Sequence, residues 1–150
     1  MQSTVLKDIF TNRIILASIG GWALAQAIKI FLGILREKHF DFRWLVETGG
    51  LPSAHASGVC ALAVAVGLNT GFNSALFAVS CVLALVTMFD AQTVRRSVGE
   101  QAEILNRMLD DLYWRKKIGD DKIREFWGHT PTEVLMGAIL GILAGIIVGI

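Results

Sequence analysis

Trp127-Gly128-His129-Thr130-Pro131-Thr132-Glu133-Val134 opens the stretch that decides the fold, because an apolar run then continues to Ile150. The run reads as a membrane helix, and His129 stands at its mouth. Pro131 suits the first helical turn, where a missing N–H costs nothing. Glu133 lies four residues after His129, on the same helix face. A carboxylate held on one ring nitrogen fixes the tautomer and leaves the other nitrogen basic and nucleophilic. The plainer reading of the same residues is a polar cap on a transmembrane helix. Gly137, Gly141, Gly145 and Gly149 follow at every fourth position and share one face, a smooth stripe that lets another helix approach closely in lipid. We read the stripe as a packing seam.

Upstream, a second histidine ends Gly49-Gly50-Leu51-Pro52-Ser53-Ala54-His55. Glycines let backbone approach a ligand, and the N–H groups of Ser53, Ala54 and His55 would sit at a helix N-terminus, a ready phosphate site. The alternative is a capped helix start with Ser53 as the cap.

Three further apolar blocks precede the last one. Residues 14–35 are long enough to cross the hydrocarbon core. Ala23-Leu24-Ala25 has the small-residue pattern of a signal peptide, but apolar character continues to Leu35, which argues for a span that is kept. Residues 55–69 and 74–89, joined by the turn Thr70-Gly71-Phe72-Asn73, read as a hairpin through the bilayer. Residues 1–13 read as a polar lead and residues 36–54 as a charged connection. In residues 91–126, Val94, Val98, Ala102, Leu105, Leu109 and Leu112 recur every three or four positions, which predicts an amphipathic helix. It would lie on the membrane surface, pair with a copy of itself as a homodimer, or pack over the ends of the spans. Lys116 to Lys122 reads as a polar turn, with a second short helix leading to Trp127.

The composition agrees with this pattern. The chain has 150 residues, which suggests a single domain over 1–150. It is 53% hydrophobic, with a mean hydropathy of +0.55. The expected fold is all-α, an integral membrane bundle of about four transmembrane helices plus an amphipathic helix. The formal net charge of +1 gives no nucleic-acid footprint. Cys60 and Cys81 both fall within apolar runs, with no zinc-type spacing and no expectation of a disulfide.

Counting spans places the two histidines together. The chain leaves the first span into residues 36–54, crosses twice through the hairpin, and emerges at residues 91–131 on the same side. His55 and His129 therefore sit at helix mouths on one face. That face carries Arg36, Lys38, Arg43, Arg95, Arg96, Arg107, Arg115, Lys116, Lys117, Lys122 and Arg124; the other carries Lys7 and Arg13. The positive-inside rule puts the histidine face in the cytoplasm.

Lys29 lies near the charged end of the first span, and Arg36 follows two helical turns later on the same side. A lysine there either serves a function or snorkels to the interface. Asp90, Arg95 and Arg96 stand where the third span emerges. The two arginines are either ordinary interfacial charge or a phosphate clamp, since guanidinium forks match phosphate oxygens.

Lys29 with Arg36, then Pro52-Ser53-Ala54-His55, then His129-Thr130-Pro131-Thr132-Glu133-Val134 together resemble the three signature blocks of the type 2 phosphatidic acid phosphatases, a superfamily shared with the vanadium haloperoxidases. The wording Gly-Gly-Leu-Pro-Ser-Ala-His, Met-Phe-Asp-Ala, Val-Arg-Arg and Gly-His-Thr-Pro-Thr-Glu-Val is similar to the small divergent bacterial and plastid branch. The resemblance implies that His129 attacks phosphorus and becomes phosphohistidine, that Glu133 supports it where the wider family has aspartate, and that His55 protonates the leaving oxygen. It implies that Lys29, Arg36 and the turn at Ser53 and Ala54 hold the phosphoryl oxygens, with no metal and no cofactor. The implied substrate is a lipid phosphate or diphosphate met at the bilayer surface. A non-catalytic protein of the same fold, binding a phospholipid headgroup or a protein partner, is the alternative; haloperoxidase activity is a distant third. Three positions depart from the pattern. Ala54 replaces a glycine, Glu37 replaces a proline, and the Ser-Arg pair expected about six residues before the nucleophile is absent. Lys122 and Arg124 lie near that spacing but out of register, so Arg95 or Arg96 is the expected substitute.

Overall fold

The computed structural model describes residues 2–40, 42–45, 50–113 and 129–149. Among these residues six α-helices follow in order: α1 Gln2–Phe10, α2 Arg13–Glu37, α3 Ala54–Thr70, α4 Ala75–Gln92, α5 Val94–Tyr113 and α6 Pro131–Gly149, with a short 3-10 turn at Phe42–Leu45. No strand occurs among the described residues. The fold is an all-α membrane bundle. Helices α2 (25 residues), α4 (18) and α6 (19) are long and apolar enough to span, and α3 is a shorter apolar helix of 17 residues. At about 1.5 Å per residue, α3 is roughly 25 Å long against a hydrocarbon core of about 30 Å.

The termini of these helices follow from local chemistry. Asn12 caps α2 by accepting from the N–H groups of Ile14 and Ile15, and Lys38, at φ 58°, closes its other end with an N–H to the Ile34 carbonyl. Ser53 caps α3 and Ser74 caps α4 through their hydroxyls. Gly71, at φ +93°, makes the left-handed turn that lets α4 fold back on α3.

Packing is inside-out relative to a soluble protein. Small residues line the interior, among them Ala17, Ala25, Ala56, Ser57, Ala61 and Ala65. Large apolar side chains such as Leu76, Val82, Val86 and Phe89 on α4 and Leu143 and Ile147 on α6 face outward, as lipid contact requires. Helix α3 is central, packed against α2, α4 and α6. It runs parallel to α6, and the glycine stripe is the contact. A Cβ at Gly137 would lie 2.4 Å from the Ser53 carbonyl oxygen, at Gly141 2.2 Å from that of Ser57, at Gly145 2.8 Å from Val64 Cβ, and at Gly149 3.1 Å from Ala65 Cα. On its other side α3 runs antiparallel to α2, where Gly21 meets Ser57 and Ala61, and Ser18 donates to the Gly58 carbonyl. The Ser57 hydroxyl donates to the Gly21 carbonyl at 2.7 Å. Cys60 and Cys81 are both free thiols.

Two segments differ from the sequence-based expectation. The expected polar lead contains a helix, α1, with Val5, Leu6, Ile9 and Phe10 along one exposed side. Their i, i+1, i+4, i+5 spacing is helical, and the polar residues between them mask it in a hydropathy reading. The amphipathic helix expected over 91–126 starts at Val94, because α4 runs on to Gln92 before a break at Thr93. Gly99, Ala102 and Asn106 form its buried side, while Val98, Ile104, Leu105 and Met108 are exposed. The polar turn at 116–122 and the second short helix lie outside the described residues.

Candidate active site

The start of α6 is built by a reciprocal cap. The Glu133 N–H donates to the Thr130 hydroxyl at 3.4 Å, and the Thr130 N–H donates to Glu133 Oε2 at 3.0 Å. The same Oε2 lies 3.1 Å from His129 Nδ1. A carboxylate accepts only, so Nδ1 carries the ring proton and Nε2 is the basic nitrogen. One carboxylate oxygen thus caps the helix and orients the imidazole.

Two backbone hydrogen bonds fix this dyad in the bundle. The His129 N–H donates to the Ala91 carbonyl at the end of α4, at 3.1 Å, and the Ser53 N–H donates to the Glu133 carbonyl at 3.0 Å. The second ties the cap of α3 to the first turn of α6, so the two helix starts lie side by side. Each N-terminus carries the positive end of a helix dipole, and together they favour an anion at this mouth. The Ser53 N–H, one of the donors expected to face a phosphate, is committed to α6.

His55, in the first turn of α3, is half-buried, and its ring centroid lies 6.4 Å from that of His129 with the planes at 62°. Ser53 is wholly buried, Ala54 is buried, and the His129 side chain is only 1% exposed. Gly50, at φ +84°, is in the left-handed region. A Cβ there would lie 3.6 Å from both Cγ and Cδ of Lys29, so the lysine stem runs along the turn that leads into Ser53. Arg36 is exposed in the last turn of α2, about 10 Å further along the helix axis. The structure therefore gathers His129, Glu133, His55, Ser53, Ala54 and the stem of Lys29 at one mouth, and it leaves Arg36 beyond. Asp90 is exposed in the last turn of α4, beside Ala91. Arg95 and Arg96 occupy the first turn of α5, just past Thr93; their side chains, with Lys122 and Arg124, lie outside the described residues.

Residues 10–144 match the family described as the Divergent PAP2 family. The chain belongs to that family. It is also 37% identical over 147 residues to the uncharacterized membrane protein YuiD of Bacillus subtilis (strain 168), covering 91% of this chain and 93% of that protein. No solved structure matches. For this divergent PAP2 member the geometry adds two site features that the sequence reading missed. The Ala91 carbonyl that holds the His129 backbone carries no residue-type signal. Gln26, a buried amide three residues before Lys29, did carry one: a polar side chain inside an apolar span.

Proposed function

We propose that this protein is a membrane phosphatase that hydrolyses a lipid phosphate or diphosphate through a phosphohistidine intermediate, with residues 1–150 acting as one transmembrane domain. His129 Nε2 attacks phosphorus as the bond from phosphorus to the leaving oxygen breaks, and His55 gives that oxygen a proton. Water then attacks the phosphohistidine, His55 takes a proton from it, and phosphate leaves with Nε2 restored. Glu133 keeps the proton on Nδ1 and stabilises the ring as it becomes cationic. Lys29 and the start of α3, through the N–H groups of Ala54 and His55, meet the phosphoryl oxygens. One of Arg95 and Arg96 completes the positive surround, with Arg36 standing beyond the mouth, and no metal or cofactor takes part. The excess of Lys and Arg supports a cytoplasmic site.

The observation that carries this reading is the Glu133–His129 dyad, with a second imidazole 6.4 Å away, at two adjacent helix N-termini. Purified protein assayed against a panel of lipid phosphates should release phosphate in the presence of chelator and lose that activity to vanadate. Release from no member of the panel would sink the reading. One observation favours the alternative of a non-catalytic headgroup or partner binder: the His129 side chain is almost fully covered. Under that alternative, phospholipid binding would survive without any phosphate release.

A further inference from the structure

We propose that Gln26 is a positioning residue that holds Lys29 at the site through the turn Phe42–Leu45. An amide buried inside a spanning helix is costly unless it is hydrogen-bonded. Gln26 is 7% exposed, and its Nε2 donates to the Trp44 carbonyl at 2.6 Å. The carbonyls of a short helical turn have no partner within it, so this bond meets a need on both sides. The Trp44 ring reaches further along α2 and lies flat on Gly33: a Cβ there would be 3.1 to 3.3 Å from three of its ring carbons. Gln26 and Gly33 are seven residues apart on one helix face, and Lys29 lies between them. The turn is therefore fastened to α2 on both sides of Lys29, by a hydrogen bond at one end and a ring contact at the other.

The lysine stem leaves this frame against Gly50, where a Cβ would meet Cγ, Cδ and Cε at 3.6, 3.6 and 3.9 Å. Lys29 thus shares the α2 face that carries the Trp44 turn and lays its stem on the Gly50 turn, which leads through Ser53 to His55. Without the Gln26 bond the turn loses its inner fastening, and a flexible four-carbon stem regains its other rotamers. Gln26 acts through the Trp44 turn, to which its amide donates. The kinetic part of this inference rests on the phosphatase reading; the confinement of Lys29 does not.

The test uses the full chain in detergent. Gln26→Leu removes the inner fastening, and Gly33→Leu displaces the ring from the outer one. Gln26→Asn, one methylene shorter, serves as the milder variant. Lys29 acylation by an N-hydroxysuccinimide ester, mapped by mass spectrometry, should be slow in the wild type and severalfold faster in each variant, with exposed Lys7 unchanged and the melting temperature retained. Turnover of the best lipid phosphate should fall in kcat, by about a hundredfold for Gln26→Leu, the cost of a misplaced binding group. Unchanged Lys29 labelling in Gln26→Leu and Gly33→Leu would overturn the inference whether or not the protein turns over. Faster labelling with unchanged kcat would overturn it too. A wild type that releases no phosphate would instead sink the phosphatase reading, and the labelling would still decide where Lys29 is held.

Discussion

Ser53 and Glu133 are joined through their main chains, the Ser53 N–H donating to the Glu133 carbonyl at 3.0 Å. One residue caps α3 and the other orients His129, so the bond couples the two histidine-bearing helix starts. It forms because Gly137, one turn further along α6, has no side chain to hold Ser53 away.

That coupling makes Gly137 a sensitive position. A Cβ at Gly137 would lie 2.4 Å from the Ser53 carbonyl oxygen, whereas one at Gly20 meets nothing within 4 Å. Gly137→Ala should lower the melting temperature and the turnover rate together, and Gly20→Ala should change neither. Gly141→Leu, directed at the Ser57 carbonyl, should destabilise by about 3 kcal/mol or more, the upper range for overpacking. Thermal unfolding in detergent measures both. A Gly141→Leu protein that melts like the wild type would mean that α3 and α6 do not pack along this seam.

Glu133→Gln should keep the fold, because glutamine also completes a helix-capping box. The neutral amide orients the imidazole without stabilising its cation, so kcat should fall by roughly ten- to ten-thousandfold, as for the aspartate of a catalytic triad. An unchanged kcat would reduce Glu133 to a helix cap.

His55→Ala should lower turnover most for substrates with poor leaving groups, since these need the proton His55 supplies. Comparing an alkyl phosphate ester with an activated aryl ester measures this. Equal losses on both would remove His55 from the role of acid.

Arg95 and Arg96 are neighbours, about 100° apart around a helix, so one of them at most points at the site. On the sequence spacing of Val94 and Val98 alone, we propose Arg95 as the phosphate clamp. Lysine keeps the charge and removes the fork, so Arg95→Lys should lose activity and Arg96→Lys should keep it. Activity retained in both variants would pass the role to Lys122 or Arg124.

Much of this arrangement is legible in the residues alone. Counting apolar blocks puts His55 and His129 on one face, and the i, i+4 spacing puts Glu133 on the imidazole, because both depend only on helical periodicity. The glycine stripe is equally plain, but its partner is not. A four-residue repeat of small side chains fits a second copy as well as it fits α3, and only the parallel placement of α3 and α6 decides. Lys29 is open to two readings in sequence, snorkelling or function, because what confines it is Gly50 and the Trp44 turn, more than a dozen residues away. Helix α1 escapes notice because four apolar residues among polar ones do not raise a hydropathy average.

The most direct test of the central claim is to trap the intermediate. Protein mixed with a radiolabelled lipid phosphate and quenched in alkali, where a phosphorus–nitrogen bond survives, should carry label on the peptide containing His129. The label should be absent in His129→Ala and should accumulate in His55→Ala on a substrate with a good leaving group, because hydrolysis of the intermediate then lacks its base. Phosphate release with no label on His129, or label on any other residue, would contradict the account.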